Sequence, residues 1–196
     1  TPEIYTLSLH DALPICYPHW SLMGKMVADT RAAVDAAAAL EITDPGRIYV
    51  VGYSLGAKVG LLAAAMDERV KAVAAVAGFE PLRLATADRG VEGIAGLSHL
   101  HGLMPRLGFF AGHESRVPFD FDEAAAAVAP RPLMVVAPTM DRYARIADVR
   151  AEMEHVKRAY EQAGQPQALR FETPVDFNRF TRETQALVFD WLAGLR

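Results

Sequence analysis

Four short runs rich in apolar residues, each separated from the next by a longer stretch of helical character, constrain the fold of this 196-residue chain most strongly. Residues 48–51 are apolar throughout, which is typical of a strand buried on both faces of a sheet. The runs predict strands at residues 47–52, 70–77, 132–137 and 168–173. Strands that alternate with helices form parallel, doubly wound sheets. We therefore expect an α/β fold with three α/β/α layers.

The stretches between these runs have apolar side chains at the three- and four-residue spacing of amphipathic helices. Thr181 is the expected N-cap of the last helix, with Glu183 close behind it. The predicted helices cover residues 20–40, 56–66, 123–128, 146–163 and 181–195. Residues 78–127 are rich in glycine, proline, histidine and aromatic residues, and most of that stretch fits no simple strand–helix unit.

Composition and charge exclude several classes of function. The formal net charge of −4 gives no electrostatic reason to expect nucleic acid or an anionic membrane as a partner. Cys16 is the single cysteine, so an internal disulfide is excluded. No apolar run approaches the ~20 residues of a membrane-spanning helix. His99 and His101 resemble a pair of metal ligands, but no cysteine or third ligand accompanies them, so no metal site is predicted.

The pattern G-x-S-x-G lies between a predicted buried strand and a predicted helix, at Gly52-Tyr53-Ser54-Leu55-Gly56. In that context the pattern indicates a tight turn that exposes the serine hydroxyl above the carboxyl ends of the strands. We expect glycine to be needed on both sides of Ser54 for close backbone approach. The amide of Leu55, at the helix start, is placed to donate to a developing oxyanion. The alternative is an ordinary glycine-rich turn in which Ser54 caps the helix.

Two segments of the chain resemble a known superfamily. Residues 44–56, DPGRIYVVGYSLG, resemble the nucleophile strand of the α/β-hydrolases, and residues 129–136, APRPLMVV, resemble the strand before their catalytic acid. The chain is similar to dienelactone-hydrolase-like and acetyl-xylan-esterase-like members over roughly residues 20–196. The resemblance implies a serine-type hydrolase of small carboxylic esters that uses no cofactor. It also implies that residues 78–127 are a cap inserted after the second predicted strand.

The same resemblance places the catalytic acid in the loop after the third predicted strand. Asp141 stands there, downstream of Ser54, in agreement with the order serine, acid, histidine. Its role would be to orient and stabilise an imidazolium ion. The alternative is an aspartate that caps a turn, and Asp148 is the next candidate for the acid.

The expected catalytic histidine is missing from its usual position. In the loop over residues 173–181, which includes Asp176, Asn178 stands nearest to that position. An amide cannot accept a proton from Ser54 near neutral pH, and loss of a general base lowers a rate by ~10²–10⁴-fold. His99 and His101, in the predicted cap, are the histidines that would overhang the site, although packing or solvent-facing roles are commoner. A catalytically silent hydrolase-like domain that binds a ligand is therefore the rival function.

The first residues require a separate interpretation. Residues 3–15, EIYTLSLHDALPI, resemble one reading frame of a common short-read sequencing adapter. We therefore expect residues 1–15 to be a non-native segment that packs poorly, and residues 16–196 to be a partial α/β-hydrolase domain. Such a domain would lack earlier strands of the sheet, which predicts aggregation and no esterase activity above background. The oligomeric state stays open.

Overall fold

A parallel sheet of four strands forms the centre of the molecule. The computed structural model describes residues 20–85, 93–100 and 102–195, with the side chains of residues 99 and 100 outside that description. The segment 1–15 that the sequence sets apart therefore lies outside the described residues. The strands are β1 (Tyr49–Tyr53), β2 (Ala72–Val76), β3 (Leu133–Val136) and β4 (Leu169–Glu172), in the order β1-β2-β3-β4.

All neighbouring strands pair in parallel, as the apolar runs predict. The register places Val51 beside Ala74, Ala75 beside Val135, and Val135 beside Phe171. Each observed strand lies within one residue of its predicted range, and all four are shorter than predicted. The α/β fold class is thus confirmed.

Five longer helices accompany the sheet, and short helical turns fill much of the connection between β2 and β3. The helices are α1 (Leu22–Ala38), α2 (Leu55–Met66), α3 (Phe121–Ala126), α4 (Ile146–Gln162) and α5 (Arg182–Gly194). Ser21 caps α1, and the Thr181 hydroxyl caps α5 by accepting from the Thr184 amide at 3.3 Å, as predicted. The turns are Gly93–Ala95, Gly96–Leu100, Pro105–Phe110 and Glu114–Arg116.

Helix α3 begins two residues earlier than the sequence pattern predicts. The Asp120 carboxylate accepts the backbone amide of Glu123, and the Glu123 carboxylate accepts the Asp120 amide at 2.9 Å; Asp120 also accepts the Phe121 amide at 2.7 Å. This reciprocal capping box fixes the first turn. The prediction of 123–128 was wrong at both ends, because it followed the alanine run and overlooked the cap.

Helices cover both faces of the sheet. Side chains alternate along each strand, so Val73, Leu133 and Val135 enter a large core built with α1, α2, α3 and α4. Met134 and Val136 point the other way, into a smaller core that Val188 and Leu192 of α5 complete. None of the helices in the described residues combines the length and apolar character that crossing a bilayer requires.

The connection between β2 and β3 packs against the large core. Leu82, Ile94, Leu97, Leu107 and Val117 are buried there, with at most 4% of each residue exposed. This connection approaches the carboxyl ends of the strands through residues 78–80. Its interpretation as an inserted cap stays a prediction.

Candidate active site

The loops that follow the four strands meet at one edge of the sheet. Ser54 follows β1, Ala77 follows β2, Asp141 lies in the loop after β3, and Asn178 lies in the loop after β4. Backbone hydrogen bonds continue the ladders into these loops; the Ser54 amide donates to the carbonyl of Val76 at 2.8 Å. This edge therefore brings together the serine and the two loops that the sequence singles out.

Ser54 has a strained backbone. Its φ of 53° and ψ of −117° lie in a region that non-glycine residues rarely adopt, and such residues typically cost about 1–3 kcal/mol. Although Ser54 precedes α2, its side chain makes no capping hydrogen bond to that helix. The alternative of a helix-capping serine is therefore not what the structure contains.

Two close backbone approaches hold this turn. A Cβ added at Gly52 would lie 2.1 Å from the carbonyl oxygen of Gly56, and one added at Gly78 would lie 2.2 Å from that of Ser54. A Cβ at Gly56 would meet nothing within 4 Å. The expectation of glycine on both sides is thus confirmed at Gly52 and wrong at Gly56, because the second close approach comes from the loop after β2.

Asp141 and Asn178 are joined by a hydrogen bond. The Asn178 Nδ2 group donates to Asp141 Oδ2 at 2.8 Å and to the carbonyl of Ala77 at 3.1 Å. The other oxygen of Asp141 accepts the Tyr143 amide at 3.0 Å. Asn178 thus donates to the aspartate as an imidazole N–H would, but an amide nitrogen offers no lone pair that can act as a base.

Two further residues of the predicted site, Tyr53 and Asp176, contact the loop that carries Asn178. Tyr53 donates its hydroxyl to the carbonyl of Asn178 at 2.8 Å, and its ring stacks on Phe180 with centroids 5.9 Å apart. Asp176 faces away toward Arg179, whose guanidinium lowers the pKa of the Asp176 carboxyl. Tyr53 therefore holds the Asn178 loop, and Asp176 forms a surface ion pair.

The remaining candidates are not assembled around Ser54 in the described residues. Asp148 lies inside α4, in its first turn, and not in the loop after β3 that carries Asp141. His155, a histidine on the same helix that the sequence pattern does not single out, pairs with Asp122, with 2.9 Å between Nδ1 and Oδ2. His101 and the side chain of His99 lie outside the described residues.

A cavity of about 350 Å³ opens at this edge. Ser54, Leu55, Asp141 and Asn178 line it together, so four of the predicted site residues share one space. Its other walls are mostly apolar and come from α1 and from the loops after β2 and β3: Leu22, Met26, Ala77, Gly78, Phe79, Leu97, Leu103, Tyr143 and Ala144. The arrangement can hold a small molecule against the Ser54 hydroxyl.

Known proteins share both the sequence pattern and this architecture. A family model described as glucuronyl esterase, fungi, matches residues 17–164, about three quarters of the chain. The chain belongs to the glucuronyl esterase family. No curated protein gives a significant match.

Solved structures related to the glucuronyl esterases have the same fold. A promiscuous CE15 esterase from a marine bacterial metagenome superposes with a TM-score of 0.79 at 16% identity, over 89% of this chain and 48% of the other. A CE15 glucuronoyl esterase from Caldicellulosiruptor kristjansonii gives 0.77 at 20% identity, over 92% and 54%. The catalytic domain of a glucuronoyl esterase from Hypocrea jecorina gives 0.72 at 16%, over 90% and 53%. The chain spans about half the length of these structures.

The matches to solved structures support the α/β-hydrolase fold that the sequence predicts. The family model places the chain among the glucuronyl esterases, a family that the sequence resemblance did not name. The closer similarity to dienelactone hydrolases and acetyl xylan esterases stays a prediction.

The cavity also contains a charged pair that the sequence pattern did not predict. Lys58, on α2, and Glu80, after β2, form an ion pair in which the residues are 9% and 2% exposed. The second Glu80 oxygen accepts the amide of Gly93. Both residues line the cavity with Ser54. The available signal was a lysine inside the otherwise apolar helix LGAKVGLLAAAM, since a buried lysine needs a partner.

Proposed function

We propose that this chain carries the nucleophile of a serine-type carboxylic ester hydrolase, with Ser54 forming an acyl-enzyme. The observation that carries the proposal is the backbone of Ser54, held at positive φ and opening on the cavity without a capping hydrogen bond. Backbone strain of this kind persists only where surrounding contacts enforce it, and it clusters at active sites. Membership of the glucuronyl esterase family supports the same reaction.

The proposed reaction has two halves. Ser54 Oγ attacks the ester carbonyl carbon while a base takes its proton; the C–O bond to the alcohol then breaks, and the alcohol leaves with a proton. Water repeats the attack and releases the acid. The amide of Leu55, in the first turn of α2, would donate to the oxyanion in both halves, and loss of one such donor costs ~10²–10³-fold in rate.

The base is the weak point of this assignment, and it favours a second candidate function. Asn178 stands nearest in sequence to the position expected for the histidine, and its amide donates to Asp141. Because an amide cannot take the Ser54 proton, the rival is a catalytically silent domain that binds a ligand in the same cavity. We infer that Asp141 is the acid of the family arrangement in either case, since it lies in the cavity and faces the Asn178 side chain.

The substrate we propose is the ester of a polar, hydroxylated acid. The solved relatives are described as glucuronoyl esterases. Here the buried pair of Lys58 and Glu80 adds two charged groups suited to hydroxyls to the wall of the cavity that holds Ser54. Methyl glucuronate is therefore the first substrate to test, beside p-nitrophenyl acetate, which would reveal the acetyl esterase activity that the sequence resemblance implies.

Asn178→His is the variant that tests the function most directly. A histidine there could donate to Asp141 with one ring nitrogen and accept the Ser54 proton with the other. We expect kcat/KM for methyl glucuronate to rise by ~10²-fold or more over the wild-type chain. A fluorophosphonate probe, which labels activated serines, should label this variant faster than the wild type.

The double variant Asn178→His with Ser54→Ala is the matched control, and it should neither react with the probe nor turn over ester. Labelling of the wild type that Ser54→Ala abolishes would support the hydrolase. A wild type that resists the probe, with a labelled and active Asn178→His variant, would favour the silent binding domain. A folded Asn178→His variant that resists the probe would refute Ser54 as the nucleophile.

A further inference from the structure

Three carboxylates meet in the interior, away from the cavity that holds Ser54. Asp120 and Asp122 flank the start of α3, and Glu152 lies on α4, which packs against α3. The three residues are 0%, 4% and 7% exposed. Each offers one oxygen, and these oxygens all lie within 4.8 Å of one another. Buried carboxylates so close together are costly unless a positive charge or a proton compensates them.

Asp120 is held rigidly in this cluster. Its two oxygens accept the amides of Leu82, Arg83 and Phe121 at 2.7–2.8 Å. These bonds attach the loop after β2 to the first turn of α3. Asp120 therefore keeps the position of its oxygens whatever fills the space between the carboxylates.

Glu152 is the residue that points to a ligand. Its Oε2 atom is buried and has no hydrogen-bond partner among the described residues. Buried polar atoms nearly always have a partner, and an exception calls for an explanation such as a bound ion. A buried oxygen without a hydrogen-bond partner, on a carboxyl that lies beside two others, is an arrangement that a bound cation would satisfy.

Two basic side chains lie beside the cluster, and neither is a hydrogen-bond partner of Glu152 Oε2. His155 Nδ1 lies 2.9 Å from Asp122 Oδ2, and the His155 side chain is 61% exposed. Arg83 directs its guanidinium to Glu123, at 2.8 Å. Neither contact involves the Oε2 atom of Glu152.

The spacing and the ligand type select the kind of ion. Calcium binds carboxylate oxygens at about 2.3–2.6 Å, so two oxygens on one calcium ion lie at most about 4.6–5.2 Å apart, a range that includes the observed limit of 4.8 Å. Magnesium binds at about 2.0–2.1 Å and demands a tighter set. All-oxygen ligands also disfavour zinc and copper, which prefer nitrogen and sulfur.

We propose that Asp120, Asp122 and Glu152 bind one calcium ion, which joins α3 to α4. The site is separate from the proposed hydrolase site and does not depend on it. Its function is structural: the ion would neutralise the buried carboxylates and secure the connection between β2 and β3, part of which lines the cavity beside Ser54.

Calorimetry and thermal unfolding of the full chain test the proposal. The chain is stripped with EDTA, dialysed, and titrated with calcium chloride, with magnesium chloride in a parallel experiment. We expect one calcium ion per chain, weaker binding of magnesium, and a rise in Tm of about 5 °C at a calcium concentration a hundred-fold above Kd.

Variants on one helix provide the control. Glu152→Gln keeps the size of the side chain and removes its charge, so it should weaken calcium binding at least ten-fold and abolish most of the Tm rise. Glu154→Gln, at an exposed position of the same helix, should bind as the wild type does. Asp122→Asn is a second test if Glu152→Gln fails to fold. Absence of calcium binding by the wild type at millimolar concentrations, or equal Tm rises in Glu152→Gln and wild type, would overturn the proposal.

Discussion

At the scale of single residues, the turn around Ser54 depends on two glycines that have no Cβ atom. Gly52 and Gly78 let two backbone segments approach where a Cβ would collide with a carbonyl oxygen. Those two approaches hold Ser54 at positive φ, against an intrinsic cost of about 1–3 kcal/mol. The position of the serine hydroxyl is therefore decided by its glycine neighbours more than by contacts of its own side chain.

Substitution of each glycine of the G-x-S-x-G pattern by alanine should have opposite effects. Gly52→Ala places a methyl group 2.1 Å from the Gly56 oxygen, so we expect a loss of about 2–3 kcal/mol in the free energy of unfolding. Gly56→Ala, which meets nothing within 4 Å inside α2, should be neutral or stabilising by up to about 1 kcal/mol. Urea unfolding of both variants measures this, and equal losses would contradict the account.

Site residues that follow strand ends could be predicted, and those held by distant contacts could not. Ser54, Asp141 and Asn178 each come shortly after a strand, and parallel strands bring their carboxyl ends together. Glu80 also follows a strand, but nothing local indicates that it would meet Lys58. Its burial depends on how the connection between β2 and β3 folds back, which no local pattern in the sequence specifies.

At the scale of elements, the contact between α3 and α4 places the well-capped start of α3 in a group of buried carboxylates that repel one another. Asp120 caps α3 and is itself buried, and burial raises its pKa. Burial also raises the pKa of Glu152 to about 9, with further contributions from Asp120 and Asp122. Without a bound cation, the folded chain keeps Glu152 protonated at neutral pH.

This shift predicts how the stability of the metal-free protein depends on pH. The Glu152 carboxyl has an ordinary pKa of 4.5 when exposed and about 9 when folded. Its contribution to stability is therefore complete below about pH 4.5 and is lost as the pH rises toward 9, by at most about 1.4 kcal/mol per pH unit. Urea unfolding in EDTA between pH 6 and 8 should give a smaller decline for Glu152→Gln than for wild type.

Glu154→Gln is the control for that experiment and should keep the wild-type decline. The pKa of Asp67 is shifted in the opposite direction, downward, because the Arg69 guanidinium binds its carboxylate. That contribution is lost only as the pH falls below the ordinary range of an aspartate. It therefore leaves the interval from pH 6 to 8 unaffected. An identical pH dependence in all three proteins would contradict the buried acid at Glu152.

Elements with strong periodicity were predicted well, and the α3 boundary was not. The strands follow from runs of Val, Ile, Leu and Ala that only a doubly covered sheet can bury. The boundary of α3 depends on a capping box whose members, Asp120 and Glu123, lie before the alanine run that drew the prediction. Three-dimensional features such as the α3–α4 carboxylate cluster arise from residues distant in sequence, and pattern alone does not reveal them.

At the scale of the whole molecule, the strands of the sheet differ in how completely they are paired and buried. β2 and β3 have a neighbour on each side, and all their residues are at most 1% exposed. β1 pairs with β2 alone among the described residues, and three of its five residues are half-buried. It is apolar and contains no proline or charge, so nothing in it discourages pairing with another strand.

Hydrogen exchange should reveal whether a second copy pairs with β1. We expect peptides that cover residues 48–53 to exchange faster than peptides that cover 72–76 in dilute protein, because amides at a free edge are open to water. Raising the protein concentration should slow exchange at residues 48–53 and leave 72–76 unchanged. Exchange that does not depend on concentration would contradict edge-to-edge pairing.

The hydrogen bond from Asn178 to Asp141 also has a genetic consequence. Asparagine and histidine codons differ only in their first base, so a single point mutation separates the two side chains at this position. The chain with asparagine at position 178 retains the aspartate partner, the tight turn at Ser54 and the cavity. Under the proposed hydrolase function, selection on a suitable ester should therefore recover position 178 as histidine.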